Sequence, residues 1–327
     1  MKTVWTLLIA SLAALVVGAL YWLGPGRPPG KSVESSEKPA MAASQPPPVL
    51  RIGMVPERDI FVQNKRYKAL ANYLSERMGR PVETITVNTY EAVLQDFSEK
   101  KIDAAFLGSL VAVLATERLG AKVLVKPEHP GQVCTYRGVV FVREDSPIKS
   151  IADLADRSIA MVRTTTAGNL YPCCLLVKDG LMTGDHAPRI VWSGTHDDVA
   201  MEVMEGRVDA GAIKDLRLDD MLHSNPQWKI RRLATSEAVP DNGLVARADM
   251  APQLRTKLSD VLMKMDSNER GRKVLEELGL TRFVACGPKE YDPIYDMIDQ
   301  LGTSWDRIGI AGPPPRRPAT GSASRPG

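Results

Sequence analysis

Two stretches of this chain, each twenty residues long, align on each other without a gap: YEAVLQDFSEKKIDAAFLGS (Tyr90–Ser109) and HDDVAMEVMEGRVDAGAIKD (His196–Asp215). Val93 matches Val199, Phe97 matches Val203, Lys101 matches Arg207, and Ile102-Asp103-Ala104 matches Val208-Asp209-Ala210. Each copy reads as a helix, a basic turn and a short apolar strand. A chain carrying that unit twice has to cover two strands with two equivalent helix faces, which calls for two α/β layers. The length of 327 residues is compatible with two such bodies.

The surrounding sequence continues the alternation. Val49–Val55, Val82–Val87, Ile102–Leu107 and Lys122–Val125 have strand character. Tyr67, Leu70, Ala71, Leu74 and Met78 recur at helical spacing, and Ser109–Leu119 forms another helical run. The pattern restarts with strands at Gly138–Val142, Ser158–Val162, Ile190–Ser193 and Val208–Ile213, and helices at Thr166–Asp179 and Asp197–Gly206. Ser150-Ile151-Ala152-Asp153 has the form of a capping box for one further helix. After a strand at Leu244–Arg247 come three amphipathic helices, near 251–265, 268–278 and 288–301. This order predicts mainly parallel sheets covered by helices.

Composition excludes several classes. With 42 Lys+Arg against 39 Asp+Glu the net charge is +3, without the basic excess of a nucleic-acid-coating protein. Four cysteines exclude a disulfide-rich miniprotein, and none shows metal-ligand or CxxC spacing. Cys173-Cys174 reads as core packing, and Cys134–Cys286 is the one bridge an oxidising compartment would favour. Neither HExxH nor GxSxG nor a dinucleotide glycine fingerprint occurs, so neither a metal nor a cofactor is expected.

The two ends read as something other than folded core. Thr3–Leu23 is uncharged and long enough to cross a bilayer; a cleaved signal peptide and a retained anchor both fit such a segment. Tyr21 and Trp22 sit where interfacial aromatics hold a span, and Gly24-Pro25-Gly26 follows the apolar run in place of a cleavage box, the small-x-small Ala40-Met41-Ala42 lying far beyond it, so residues 1–23 are read as a signal anchor. Residues 24–48, rich in Pro, Ser and Ala, form a linker, and 312–327 a disordered tail.

In open α/β sheets ligands bind beyond the carboxyl ends of strands, near helix N-termini. Thr164-Thr165-Thr166-Ala167-Gly168 falls at such a place and offers hydroxyls, amides and a helix dipole to an anion; one threonine would suffice for a simple cap. His196 opens one repeat helix where Tyr90 opens the other, and either donates to a ligand or rests on the surface beside Asp198. Ser109 and Lys214 end the repeat strands; Lys214 is either a rim ammonium acting on the ligand or a solvated side chain near Asp215. His129, His186 and His223 read as solvated. An acid–base pair suited to catalysis is not evident, and an enzyme is not expected.

Taken in order, IGMVPERD, RYKALANYLSERMGRPVE, TYEAVLQDFSEKKIDAAFLGSL, TYRGVVFVREDSPIKSIADLADRSIAMV, TTTAGNLYP and GTHDDVAMEVMEGRVDAGAI resemble the phosphate/phosphite/phosphonate substrate-binding proteins of ABC importers, over about Leu50–Met265. The resemblance implies a type II periplasmic-binding-protein fold, with two α/β lobes joined by two crossovers. The first lobe would be 49–135 completed by 235–311, and the second 136–234, with crossovers near Tyr136–Val140 and Ala234–Pro240. The family's Ser-Thr-Ser-Gly turn corresponds to Thr165-Thr166-Ala167-Gly168, with the third hydroxyl missing at Ala167. The matching positions give a ligand set of Tyr90, Thr165, Thr166, Ala167 and His196, to which Ser109, Tyr136 and Lys214 are added. A family aromatic is replaced by Ala112, and Lys214 stands where a neutral or acidic residue is usual, implying a more open and more cationic pocket. The implied function is extracytoplasmic capture of a small phosphorus oxyanion for an ABC permease, with the protein held at the inner membrane by its N-terminal helix. The alternative is a membrane-anchored sensor of the same fold that reports ligand to a kinase or receptor.

Overall fold

A computed structural model describes residues 47–55, 60–87 and 89–318, with the side chains of residues 60–62 and 90 left aside. The anchor expected over 1–23 and nearly all of the linker lie outside the described residues, as do 319–327 of the tail. Among the described residues no helix is long and apolar enough to cross a membrane.

The first half of the body runs β1 (Leu50–Met54), α1 (Ile60–Met78), β2 (Val82–Thr86), α2 (Tyr90–Ser98), β3 (Ala104–Leu107), α3 (Ser109–Leu119) and β4 (Lys122–Glu128). A short strand, β5 (Thr135–Tyr136), leads into β6 (Gly138–Arg143), β7 (Ser158–Val162), α4 (Tyr171–Lys178), β8 (Arg189–Ser193), α5 (His196–Met204), β9 (Ala210–Lys214), α6 (Asp215–Ser224) and β10 (Ile230–Thr235). The chain returns through β11 (Val239–Pro240) and β12 (Gly243–Ala246) to α7 (Pro252–Met263), α8 (Glu269–Leu278), β13 (Arg282–Ala285) and α9 (Asp292–Leu301).

Two sheets result. One has the order β13-β4-β12-β3-β1-β2 and the other β10-β6-β9-β7-β8. In each, three strands are parallel (β2-β1-β3 and β8-β7-β9), and the strand that follows a crossover inserts antiparallel beside the third. Thus β12 lies against β3 as β6 lies against β9, so the repeat in the sequence is a repeat of sheet topology. The crossovers pair with each other as β5 and β11, with Tyr136 opposite Val239 and Thr135 opposite Pro240.

The core follows the apolar pattern. Leu70, Leu74, Ile52 and Phe106 join α1 to one face of the first sheet, while Val199, Val203, Phe141 and Ala160 seal α5 onto the second. A third cluster runs between the lobes, from Leu110 and Leu114 of α3 through Leu170 and Cys173 to Ile294 and Ile298 of α9. Helix α9 and the segment after it therefore touch both lobes; Asn169 Nδ2 donates to Ile308 O at 2.9 Å.

Three local expectations change. The helix expected at Ser150–Asp153 is a single 3₁₀ turn, Ala152–Leu154, because the Asp153 carboxylate accepts from Lys149 N and Ser150 N, both at 2.9 Å, and closes a tight loop. The strand expected from Val208 begins at Ala210, because the Asp209 side chain turns to the Ser158 amide at 2.8 Å and hydroxyl at 2.6 Å. The tail from Gly312 is not loose in its first part. Trp305 Nε1 donates to Gly312 O at 2.9 Å, Arg118 donates to Pro313 O at 2.8 Å, and Arg317 pairs with Asp296 over the Tyr295 ring.

Candidate functional site

The crossovers bring the carboxyl ends of β3, β7 and β9 together, and with them the starts of α3, α5, α6 and a wide π-helical turn, Thr166–Leu170. Helix starts leave N–H groups without intrahelical partners, and the sequence deals with them unevenly. Thr89 caps α2 by accepting from Ala92 N, and Thr195 with Asp198 forms a reciprocal capping box on α5. At α6 the first two amides are engaged, Asp215 N by Arg137 O at 2.9 Å and Leu216 N by the Asp215 carboxylate at 2.7 Å. Helix α3 follows Gly108 and has no side-chain cap. Its Leu110 N–H reaches across the cleft instead and donates to Thr166 Oγ1 at 3.0 Å.

The threonine run is built around that contact. Thr164 has φ of +53°, a region disfavoured for a β-branched residue. The kink turns Thr165 into the N-cap position, where its hydroxyl accepts from Gly168 N at 3.1 Å and donates to Val162 O at 2.9 Å. A side chain at position 168 would lie 2.8 Å from Thr165 Oγ1 and 3.0 Å from Val162 Cβ, so the turn requires glycine. Thr164 itself donates across the cleft to the Glu91 carboxylate. Thr164, Thr165, Thr166 and Ala167 are all buried.

Below the threonines lies a charged cluster at the hinge. Lys214, at the end of β9, is 8% exposed and forms an ion pair with Asp241. Its Nζ stands 4.5 Å from the centre of the Tyr136 ring. His129 Nε2 is 2.5 Å from the other oxygen of Asp241. Burial works to raise the Asp241 pKa, but the Lys214 ammonium and the His129 hydrogen bond outweigh it and hold the carboxyl well below the usual range. Tyr136 moves the opposite way: burial pushes its phenol up, only partly offset by Lys214. Tyr136 OH is also the partner of Ser109 Oγ at 3.3 Å, and Ser109 donates to Pro240 O at 2.5 Å.

Of the residues expected from sequence, the fold gathers Thr165, Thr166, Ala167, His196, Tyr136 and Lys214 around one small cavity of about 10 Å³. Ser109 is fully buried behind it and ties α3 to the second crossover. Tyr90 opens α2, one residue before Glu91; its side chain lies outside the described residues. His196 is buried at the start of α5, and Asp198, its expected surface partner, is held by the Thr195 amide and hydroxyl at 2.9 and 2.8 Å. Lys214 is neither a rim ammonium nor a solvated neighbour of Asp215, because Asp241 takes its charge inside. His129, expected to be solvated, is half-buried and bonds the other oxygen of Asp241.

Sequence reading missed Asp241, His129, Asn242 and Arg217. Asp241 and Asn242 stand just past the crossover expected to end at Pro240, so position alone could have found them. Arg217 occupies the third place of α6 and grips Asp197 with two bonds of 2.5 and 2.7 Å. The cysteines are unbridged. Cys134 lies against the Glu128 carboxylate, and Cys286 against the Tyr291 hydroxyl. Burial pushes Cys174 up to about 12, as a packed, unreactive thiol requires.

Two lobes of matching topology, hinged by paired crossovers and meeting over helix starts and hydroxyls, define a two-lobed substrate-binding protein of the type II periplasmic class. The model of the family described as "ABC transporter, phosphonate, periplasmic substrate-binding protein" matches residues 52–291, and the chain belongs to that family. It is 24% identical over 278 residues to the probable ABC transporter phosphite binding protein PhnD1 of Prochlorococcus marinus, covering 80% of this chain and 91% of that protein. The fold is similar to PhnD1 in complex with methylphosphonate, with a TM-score of 0.68 and 22% identity over 77% of this chain and 98% of that one. A binding protein component of a phosphonate ABC transporter from Pseudomonas aeruginosa gives a TM-score of 0.71 at 20% identity, covering 81% and 90%. The family places the chain on the extracytoplasmic side, as the substrate-binding and not the translocating part of an importer.

Proposed function

We propose that the protein captures a phosphorus oxyanion between Thr165-Thr166-Ala167 of the second lobe and the start of α3 in the first, and hands it to an ABC permease. The observation that carries this is the bond from Leu110 N–H to Thr166 Oγ1 across the cleft. An oxyanion oxygen inserted there would accept from both groups, because Leu110 keeps its amide proton and Thr166 can turn its hydroxyl proton outward. Charge-assisted bonds to such an oxygen are about twice as strong as the neutral bond they replace. The cavity of about 10 Å³ has room for no more than a single water, so ligand entry requires the lobes to part along β5 and β11. Closure then traps the anion where α3 directs its dipole. Tyr90 and His196 would act as further donors from the two repeat helices.

Lys214 takes a different role from that of a selector. A bare ammonium about 4 Å from a ligand amine would cost on the order of 4 kcal/mol at an effective dielectric near 20. Asp241 offsets that charge, so discrimination against aminoalkylphosphonates should be weak. The apolar run Thr3–Leu23 is proposed as a retained anchor, which holds the binding body beside the permease. Proteins of this family bind and deliver, and we assign no catalytic step.

The test is calorimetric titration of the full chain with phosphate, phosphite and methylphosphonate, repeated on the double variant Thr165→Ala, Thr166→Ala. Binding by the wild type and a loss of about 1–3 kcal/mol per deleted bond are expected. Equal affinity in the double variant would reject this site.

A further inference from the structure

We infer that the protein is built for phosphonates carrying an apolar substituent of about one ring, which lodges in a second cavity beside the threonine turn. This rests on the oxyanion site proposed above and names the class of ligand that site takes. The second cavity measures about 120 Å³. An engineered apolar cavity of about 150 Å³ holds benzene, so the size suits a single ring. It adjoins the threonine site, since His196, Lys214 and Asn242 line both. A phosphonate head at Thr165–Ala167 would therefore direct its carbon substituent past those three residues.

The walls fit such a group. From the first lobe come Tyr67 of α1, Phe106 at the end of β3, Phe283 of β13, and Leu278 and Leu280 just before β13. Phe106 is fixed between the other two aromatics, edge-on to Tyr67 with ring centres 5.3 Å apart and 6.0 Å from Phe283. Tyr67, Leu278 and Leu280 pack on the core of that lobe yet stay half-buried, so they keep apolar surface turned to the cavity. The second lobe adds Leu216 and two cations whose charges are matched nearby, Arg217 by Asp197 and Lys214 by Asp241, and the first lobe adds His129, which bonds the other oxygen of Asp241. A ring entering between these walls would lose little hydration of unbalanced charge. Asp241, holding both Lys214 and His129, has no role left as counter-ion for a ligand amine. Arg66, half-buried on the same wall, can lie over a ring face. It is also the group that would favour a ligand with a second anionic end instead.

Titration of the full chain with methylphosphonate, phenylphosphonate and phosphonoacetate separates these outcomes. Phenylphosphonate should bind at least about tenfold tighter than methylphosphonate, from the apolar area it buries. In Leu280→Trp, which fills the cavity, the ratio of the two affinities should fall to about one or below. Phenylphosphonate no tighter than methylphosphonate in the wild type, phosphonoacetate tightest of the three, or an unchanged ratio in Leu280→Trp would each overturn the inference. In those cases methylphosphonate still binds and the oxyanion site stands. Failure of all three phosphonates and of inorganic phosphate would remove the oxyanion site itself, and the inference with it.

Discussion

The two repeat copies occupy equivalent places in the two lobes but are finished differently where they face each other. At the last position, Ser109 clasps the second crossover through Pro240 O, and Asp215 clasps the first by accepting from Arg137 N at 2.9 Å. One residue earlier the copies part: Gly108 leaves α3 uncapped, while Lys214 places a buried ammonium at the head of α6. The acids that follow the helix-opening residues part as well. Asp197 is gripped by Arg217, whereas Val111 stands at the matching place in α3 and Glu91 reaches across to Thr164. The first lobe thus offers backbone to the cleft, and the second offers charges that are already neutralised. One scaffold, used twice, divides anion recognition from the holding of the hinge.

The largest expected effect is on the buried pair. Asp241→Ala leaves Lys214 buried without its counter-charge, and breaking such a pair costs about 3–5 kcal/mol. Replacing both partners, with Lys214→Met and Asp241→Leu, should restore most of that loss. Urea denaturation of the wild type and these two variants checks this, and a loss under about 1 kcal/mol in Asp241→Ala would show that the lobes do not depend on the pair. The pH dependence has a definite sign. The Asp241 carboxyl has a folded-state pKa below its unfolded value near 3.9, so its contribution is full above about pH 5 and fades as pH falls through 4 toward the folded value. The gap in stability between wild type and Asp241→Ala should narrow steadily as pH falls below about 4.

The two clasps should differ by less. Asp215→Ala removes a hydrogen bond to a charged acceptor, worth about 1.5–3 kcal/mol, and Ser109→Ala a neutral one, worth about 0.5–1.5 kcal/mol. Equal losses on urea denaturation would mean that the clasps are interchangeable, against the asymmetry drawn here.

The layered fold was legible because it rests on periodicity: the spacing along α1 and the apolar strands of each copy are direct readouts of burial. The threonine turn was legible too, since hydroxyls after a strand and before a helix have few other uses. What stayed hidden depended on pairing across long stretches of sequence. Lys214 and Asp241 are 27 positions apart, and His129 and Asp241 are 112 apart, so no local pattern marks them as partners. Lys214 read as a cation for the ligand because its counter-ion comes from the far side of a crossover. The second cavity was invisible for a related reason: Tyr67, Phe106 and Phe283 each fit a core pattern, and only the fold turns part of that surface toward the cleft.

The smallest effect tests the mouth of the cleft. Glu91 is exposed and, among the described residues, pairs with no cation; its contact is the Thr164 hydroxyl. A carboxylate there repels an incoming dianion, whereas Asp197 has Arg217 to balance it. In water two unit charges about 4 Å apart interact by about 1 kcal/mol, and salt weakens this further. Glu91→Gln, which keeps an acceptor for Thr164, should therefore tighten phosphate binding by about 0.5–1 kcal/mol in dilute buffer. Near 1 M salt, where the screening length is about 3 Å, the gain should nearly vanish. Removing the balanced pair together, with Asp197→Asn and Arg217→Gln, should bring no such gain, since that pair carries no net charge. Phosphate titrations of both variants at low and high salt decide the matter. If the Asp197→Asn, Arg217→Gln double variant gains as much as Glu91→Gln, or if the Glu91→Gln gain survives high salt, the charge difference between the two lobes is not what the ligand feels.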